Sequence, residues 1–279
     1  MSEHLASSPR ISIVIPAYNE ANRLPKTLAR IHEYLAKLPP DCGYTISEII
    51  VVDDGSKDQT AAIVSSYKSR LSVLRMVRNS ENRGKGFSVR RGMLEATGDI
   101  GLLSDADLST PIEEMDRLVK ALDSANIAIG SRALDRSLIQ IRQSRLRESA
   151  GIIFNKAVCG ITGLRFKDTQ CGFKAFALVP TRIVFEQQHV EGFGFDPEIL
   201  FLAKHYQLRT SEVPVRWAHD PDTKVHLFRD SLKMILTLVR IRFDWLAGRY
   251  AKSDVRARAL SHEAELPLLP GAGAELNEN

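Results

Sequence analysis

Cysteine is scarce: Cys42, Cys159 and Cys171 make an odd count with no CxxC pair. That spacing fits neither a disulfide framework nor a zinc site, and reduced thiols in a cytoplasmic protein are expected. No stretch reaches the ~18 uninterrupted apolar residues of a membrane-spanning helix. The opening MSEHLASSPR lacks an apolar core, so no secretory signal is expected. Neither sign of charge dominates, since 38 Lys and Arg against 34 Asp and Glu leave a net +4. With no motif for it and no basic patch interleaved with aromatics, nucleic acid is excluded as a partner. No internal repeat is visible. The GxxxxGK[ST] phosphate loop is missing, and Val89 occupies the third glycine position of GxGxxG.

What is present is an ordinary globular composition, 44% hydrophobic and 26% charged, in 279 residues, ample for a core. Apolar runs at 11–18, 47–54, 72–77, 99–107 and 125–132 read as strands. Helical patterns lie between them, at about 20–37, after Asp58, at 87–96 and from Pro111. This alternation predicts an α/β fold with a mainly parallel central sheet. Ligands of such sheets bind beyond the carboxyl ends of the strands, where Tyr18-Asn19-Glu20, Asp53-Asp54, Asp105-Ala106-Asp107 and Ser131-Arg132 all fall.

The second half is less regular. A basic stretch (131–148) precedes a helix near 150–158, then come DTQCGFKAF, GFGFDPEILFLAKH and a strand, TSEVPVRW. Residues 226–247 form an amphipathic helix, with Arg229, Asp230, Lys233, Thr237, Arg240 and Asp244 on its polar stripe. Phe228, Leu232, Ile235, Val239, Phe243 and Leu246 recur on its apolar side. The reading is one domain over 1–250, with a nucleotide-binding half (about 10–130), an acceptor half (about 131–224) and a loosely ordered tail at 251–279.

Asp105 and Asp107 share one side if the segment is extended. Two adjacent carboxylates repel, and a hard divalent ion such as Mg²⁺ or Mn²⁺, shared with a phosphate-bearing substrate, relieves this. A helix-capping pair before Pro111 is the plainer alternative. The loop Asn82-Arg83-Gly84-Lys85-Gly86 opens a helix, a place that attracts phosphate. Asp53 could accept hydrogen bonds from a base or a ribose, or simply cap the next helix. Two basic clusters, one holding Arg132, Arg136, Arg142, Arg145 and Arg147 and the other Arg229, Lys233, Arg240, Arg242 and Arg249, suit an anionic partner or a solvated helix face.

IVIPAYNE, IIVVDDGSKDQT, NRGKG, SDADLSTP and GSR, in this order and spacing, resemble the family 2 glycosyltransferases with the nucleotide-diphosphosugar transferase (GT-A, Rossmann-like) fold. DTQCGFKAF, FGFDPEILFLA and VPVRW…DTKV are similar, more narrowly, to the dolichyl-phosphate β-glucosyltransferases and bacterial polyprenyl-phosphate relatives. The resemblance spans roughly 10–250. It implies that Pro16, Ala17, Tyr18 and Glu20 cradle a nucleotide, that Asp53 reads its base, and that Lys85 and Lys224 lie by the diphosphate. It assigns Asp105 and Asp107 to donor and metal, and Arg132, Arg145, Ser149, Asp168 and Gln170 to the acceptor phosphate. Asp196 and Glu198 fall in the segment facing the sugar. Ser109 stands where mannosyl relatives have glutamine, which disfavours mannose.

The activity so implied is inverting transfer of a hexose, glucose from UDP-glucose, to a polyprenyl or dolichyl phosphate. The catalytic set would be Asp105, Asp107, Arg132 and Asp196. The C-terminal helix would lie on the membrane surface and the protein would be peripheral on the cytoplasmic face. Three alternatives remain. One is mannosyl transfer from GDP-mannose, and another is transfer to a sugar hydroxyl with Asp196 as base. The third is a non-catalytic nucleotide-binding module.

Overall fold

The computed structural model describes residues 8–219 and 227–250, with side chains in the last helix from residue 233 onward. Lys224, the segment 251–279 and the side chains of 228–230 and 232 lie outside the described residues. The first half runs β1 (Arg10–Ala17), α1 (Leu24–Lys37), β2 (Thr45–Asp53), α2 (Thr60–Tyr67), β3 (Leu74–Arg78), α3 (Lys85–Glu95), β4 (Ile100–Ser104), α4 (Met115–Ala121) and β5 (Ile127–Ser131). The second runs β6 (Ile139–Ile141), α5 (Arg145–Thr162), β7 (Phe173–Ala177), α6 (Leu178–Glu186), α7 (Phe195–His205), β8 (Thr210–Pro214), β9 (Trp217–Ala218) and α8 (Leu227–Leu246).

One seven-stranded sheet has the order β3-β2-β1-β4-β7-β5-β8, and β6 pairs with β9 apart from it. All neighbours in the large sheet are parallel except β7, which is antiparallel to both β4 and β5. The expected α/β fold with a mainly parallel sheet is therefore present. The sequence reading had no strand at 173–177, because CGFKAF carries a lysine in mid-run.

Alternate strand residues feed two cores, as the period-two geometry of a doubly covered sheet requires. Val14, Ile50, Val52, Leu103, Ile127 and Ile129 pack with Val89, Phe154, Ile199 and Leu238 of the helices on one face. Ile13, Ile15, Val51, Leu102 and Ala128 pack with Leu24, Leu28, Val64 and Leu118 on the other. Each such fully buried aliphatic side chain contributes about 2 kcal/mol.

Two expectations need correction. β4 ends at Ser104, so Asp105 and Asp107 lie not on an extended segment but in a tight turn. There the Leu108 N–H donates to the Asp105 carbonyl (3.2 Å) and Leu108 has φ 48°. α8 also does not present the expected single apolar face. Leu238 and Ile241 are buried and Asp244 is 2% exposed, whereas Leu236, Val239, Phe243 and Leu246 point to solvent. Among the described residues no helix is long and apolar enough to cross a membrane.

At the amino-terminal end of the sheet, buried Glu48 accepts from the Thr97 N–H and hydroxyl, the Ser12 hydroxyl and Arg75. Burial alone pushes its carboxyl up, but these donors outweigh it and hold the pKa at about 2, below the usual 4.5. A carboxyl depressed in the folded state stabilises above its unfolded pKa, and that stability is lost as pH falls through the folded value. Glu48→Gln is expected to lower the unfolding free energy by about 2 kcal/mol at neutral pH. Urea unfolding across a pH series should show the difference fading from pH 4.5 towards about 2. A difference that does not change with pH would contradict the assignment.

Candidate active site

The carboxyl ends of β1, β2, β4 and β5 open into a cavity of about 640 Å³. Its wall on the β1 side is PAYNE, lashed to the loop after β2. The Asn19 N–H donates to Ser56 Oγ (2.9 Å), the Glu20 N–H to Thr60 Oγ1 (2.8 Å), and the Lys57 N–H to Asn19 Oδ1 (2.9 Å). Asp54 then fixes the next loop: its oxygens accept from the Arg83 N–H (3.0 Å), the Gly84 N–H (2.7 Å) and Asn79 Nδ2 (2.7 Å). Gly84 has φ +109°, and a Cβ there would stand 2.5 Å from the Glu191 carbonyl oxygen, so glycine is required. This geometry starts α3 with Lys85 aimed into the cavity.

Lys85 Nζ meets Asp105 Oδ1 at 2.5 Å. Burial acts to lower the lysine's pKa, but Asp105, Asp196 and Asp107 outweigh it and raise it. Asp107 Oδ1 accepts the Ser109 N–H (2.9 Å), and burial together with the neighbouring Asp105 raises its carboxyl. Among the described residues no cation lies within ion-pair distance of Asp107. Gly172, in the loop before β7, packs so closely on Asp105 that any Cβ would overlap the carboxylate.

Across the cavity Arg132 is held in a two-pronged pair with Asp168 (Nε–Oδ2 2.6 Å, Nη2–Oδ1 2.8 Å), reinforced by its own N–H (3.0 Å). Its guanidinium lies 5.4 Å from the Trp217 ring centre. The Lys167 and Asp168 N–H groups donate to Glu212 on β8, which fixes this loop. At the start of α7, Asp196 Oδ1 pairs with Lys174 Nζ at 2.5 Å, and Lys174 also donates to the Cys171 carbonyl (2.5 Å). Both residues are buried; desolvation raises the Asp196 carboxyl against the pull of Lys174 and Lys85.

Pro16, Ala17, Tyr18, Glu20, Lys85, Asp105, Asp107, Arg132, Gln170 and Asp196 all line this one cavity. Five other expected site residues do not. Asp53 is fully buried, with Oδ1 accepting the Ser56 N–H (2.9 Å) and Oδ2 facing Arg78 Nε (3.1 Å), while its neighbour Asp54 reaches the wall. Asp168 acts on Arg132 and not on the cavity space. Arg145 and Ser149 sit exposed on the first turns of α5, whose Ala150, Gly151 and Phe154 line the wall instead. Glu198 turns away to the His189 and Val190 N–H groups and the Tyr250 hydroxyl. Lys224 lies outside the described residues. Lys174 and Gly172 were not read from the sequence as site residues; a lone lysine inside an apolar strand was the available signal.

The model of the family described as "Glycosyl transferase family 2" matches residues 12–179. The chain belongs to glycosyl transferase family 2. It is 37% identical over 251 residues to a dolichyl-phosphate β-glucosyltransferase of Trichomonas vaginalis, covering 87% of this chain and 74% of that one. It is 34% identical to the dolichyl-phosphate β-glucosyltransferase of Homo sapiens, covering 88% and 79%. Among solved structures it resembles the glucosyl-3-phosphoglycerate synthase of Mycobacterium tuberculosis in complex with UDP (TM-score 0.58, 21% identity, 84% and 80% covered). It also resembles the mannosyl-3-phosphoglycerate synthase of Rubrobacter xylanophilus (TM-score 0.59, 20% identity, 96% and 79% covered). The GT-A fold and a glycosyltransferase activity follow, as the motifs implied.

The Gly172–Asp105 contact generates a prediction. Gly172→Ala should displace the carboxylate and lower kcat about 100-fold, because misplacement near 1 Å at a reacting centre has that effect. Steady-state kinetics alongside thermal melting check it; wild-type turnover would show that the contact is tolerant.

Proposed function

We propose that this glycosyltransferase moves glucose from UDP-glucose to a polyprenyl or dolichyl phosphate, with inversion at the anomeric carbon. The observation that carries the reading is the placing of a carboxylate pair, Asp105 and Asp107, in one cavity with an arginine already oriented by Asp168. The names of the relatives, dolichyl-phosphate β-glucosyltransferases, support the sugar and the acceptor. The chain would work as one unit, its halves at about 10–130 and 131–224 sharing the sheet. Three free cysteines support a reducing, cytoplasmic-face location.

The donor set fits a hard divalent ion, Mg²⁺ or Mn²⁺. The oxygens of Asp105 and Asp107 face one cavity, and Asp107 carries no paired cation among the described residues. No group of three or more His, Cys, Asp or Glu there could hold a metal, so substrate oxygens and water would complete the shell. Such an ion, when bound, neutralises charge on the diphosphate leaving group.

The chain's own residues do the rest. PAYNE and Asp54 border the nucleotide end of the cavity, and Lys85 lies where the diphosphate would sit. Arg132, its orientation set by Asp168 and Trp217, offers its remaining N–H groups to an acceptor phosphate. That phosphate is already an anion near neutral pH, so its oxygen attacks the anomeric carbon without surrendering a proton to a strong base. The bond from that carbon to the diphosphate oxygen breaks, and its electron pair leaves with UDP. An α-linked donor thus yields a β-linked sugar phosphate.

A hydroxyl acceptor is the second reading, favoured by Asp196: it lines the cavity and burial raises its carboxyl, as a general base requires.

The test offers UDP-glucose and GDP-mannose separately, with Mg²⁺ or Mn²⁺ and a short polyprenyl phosphate, and follows the lipid-linked sugar by mass spectrometry. A glucosyl product from the first donor alone is expected, and product on a soluble sugar acceptor instead would favour the second reading. UDP binding without product from any donor would overturn the proposal. Asp107→Ala should lower turnover by about 1,000-fold or more with an unchanged melting curve; retained transfer would remove the metal site.

A further inference from the structure

The transfer reaction as read above leaves one buried carboxylate unused. Glu198, in the first turn of α7, is fully buried and lies outside the cavity lining. Its Oε1 accepts the His189 N–H (2.9 Å) and the Tyr250 hydroxyl (2.7 Å), and its Oε2 the Val190 N–H (2.8 Å). Burying a carboxyl is costly unless donors meet it, and these three all come from outside its own helix. Two of them belong to the loop between α6 and α7, residues 187–194.

The start of α3 is seated on that loop. The Glu191 carbonyl accepts the Phe87 N–H (3.1 Å), and Gln188 Nε2 donates to the Gly86 carbonyl (2.8 Å). Arg83 pairs with the Glu191 carboxylate. A Cβ on Gly84 would stand 2.5 Å from the Glu191 carbonyl oxygen, and one on Gly86 would stand 2.4 Å from that of Val190. Lys85 lies between these two glycines, so a shift of the loop would move its backbone. Its Nζ reaches Asp105 in the cavity.

Tyr250 completes the brace. It is buried, follows the turn at Gly248 (φ 72°) after α8, and stacks its ring on His189 with centroids 4.6 Å apart and planes at 13°. The hydroxyl therefore holds Glu198 while the ring holds the loop. A continuous line of contacts runs from the end of α8 through Glu198 and the carbonyls of Val190 and Glu191 to the backbone of Lys85.

We propose that Glu198 and Tyr250 are positioning residues for Lys85: they brace residues 187–194 against Gly84 and Gly86, and so set where the ammonium stands for the diphosphate. The use of that ammonium rests on the donor reading above; the brace does not. Two variants test it in the full chain. Tyr250→Phe keeps the ring on His189 and removes only the hydroxyl. Glu198→Gln keeps the volume but turns one acceptor into a donor facing an N–H. Hydrogen exchange read by mass spectrometry should be about tenfold faster at 84–88 in each, and unchanged at 49–52 in β2, since a hydrogen bond to a charged group is lost locally. Calorimetry with UDP and Mg²⁺ supplies the second reading. Each variant should weaken UDP about tenfold in the otherwise unchanged chain, but less than about twofold in a Lys85→Ala chain, where nothing is left to position. Unchanged exchange at 84–88 in Tyr250→Phe overturns the brace, and this variant decides alone if Glu198→Gln fails to fold. Equal losses of UDP affinity with and without Lys85 overturn the positioning role. Wild type that binds no UDP overturns the donor reading instead, and exchange then decides the brace.

Discussion

The carboxylate of Asp105 is the constraint on which the cavity depends. It touches both halves of the chain, with Lys85 Nζ at 2.5 Å on one side and a glycine too close for any Cβ on the other. The antiparallel insertion of β7 makes this possible. Its register sets Phe173 beside Ser104, so the loop ahead of β7 lands on the residue that follows β4. Cys171 then turns its carbonyl to Lys174, and Lys174 reaches Asp196 on α7. One strand thus ties the Asp196 side of the cavity to the Lys85 side.

Electrostatics around the cavity follow a simple pattern. Lys85, Arg132 and Lys174 each have an aspartate partner, at 2.5, 2.6 and 2.5 Å. Asp107 is left over. Buried pairs of this kind are weak evidence for stability, because desolvation offsets most of the attraction. What they supply is orientation, since a paired side chain in a low dielectric has few alternative positions. The surplus negative charge of Asp107 at a core's edge is what the proposed divalent ion would offset.

The helices of the second half are apolar towards the cavity and towards solvent. α5 supplies apolar cavity wall on one side and exposed Ile153 on the other, and α8 does the same with Met234 and Leu236.

The alternation of β1 to β5 with helices, and the polar residues at their carboxyl ends, were determined by the sequence alone. Apolar runs, turn residues and loop glycines act over a few residues, so their outcome is local and legible. The strand-end position of Asp105, Asp107 and Arg132, and the helix-start position of Lys85, followed from that. Tertiary structure decided the rest. Whether Asp53 or Asp54 reaches the cavity depended on the packing of Arg78 and the Arg83–Gly84 loop. Asp168 found Arg132 across 36 residues and Lys174 found Asp196 across 22, distances over which sequence pattern carries no partner information. The inner and outer faces of α8 were set by its packing on α5 and α7. Two nearly equal apolar stripes leave that choice to the neighbouring helices.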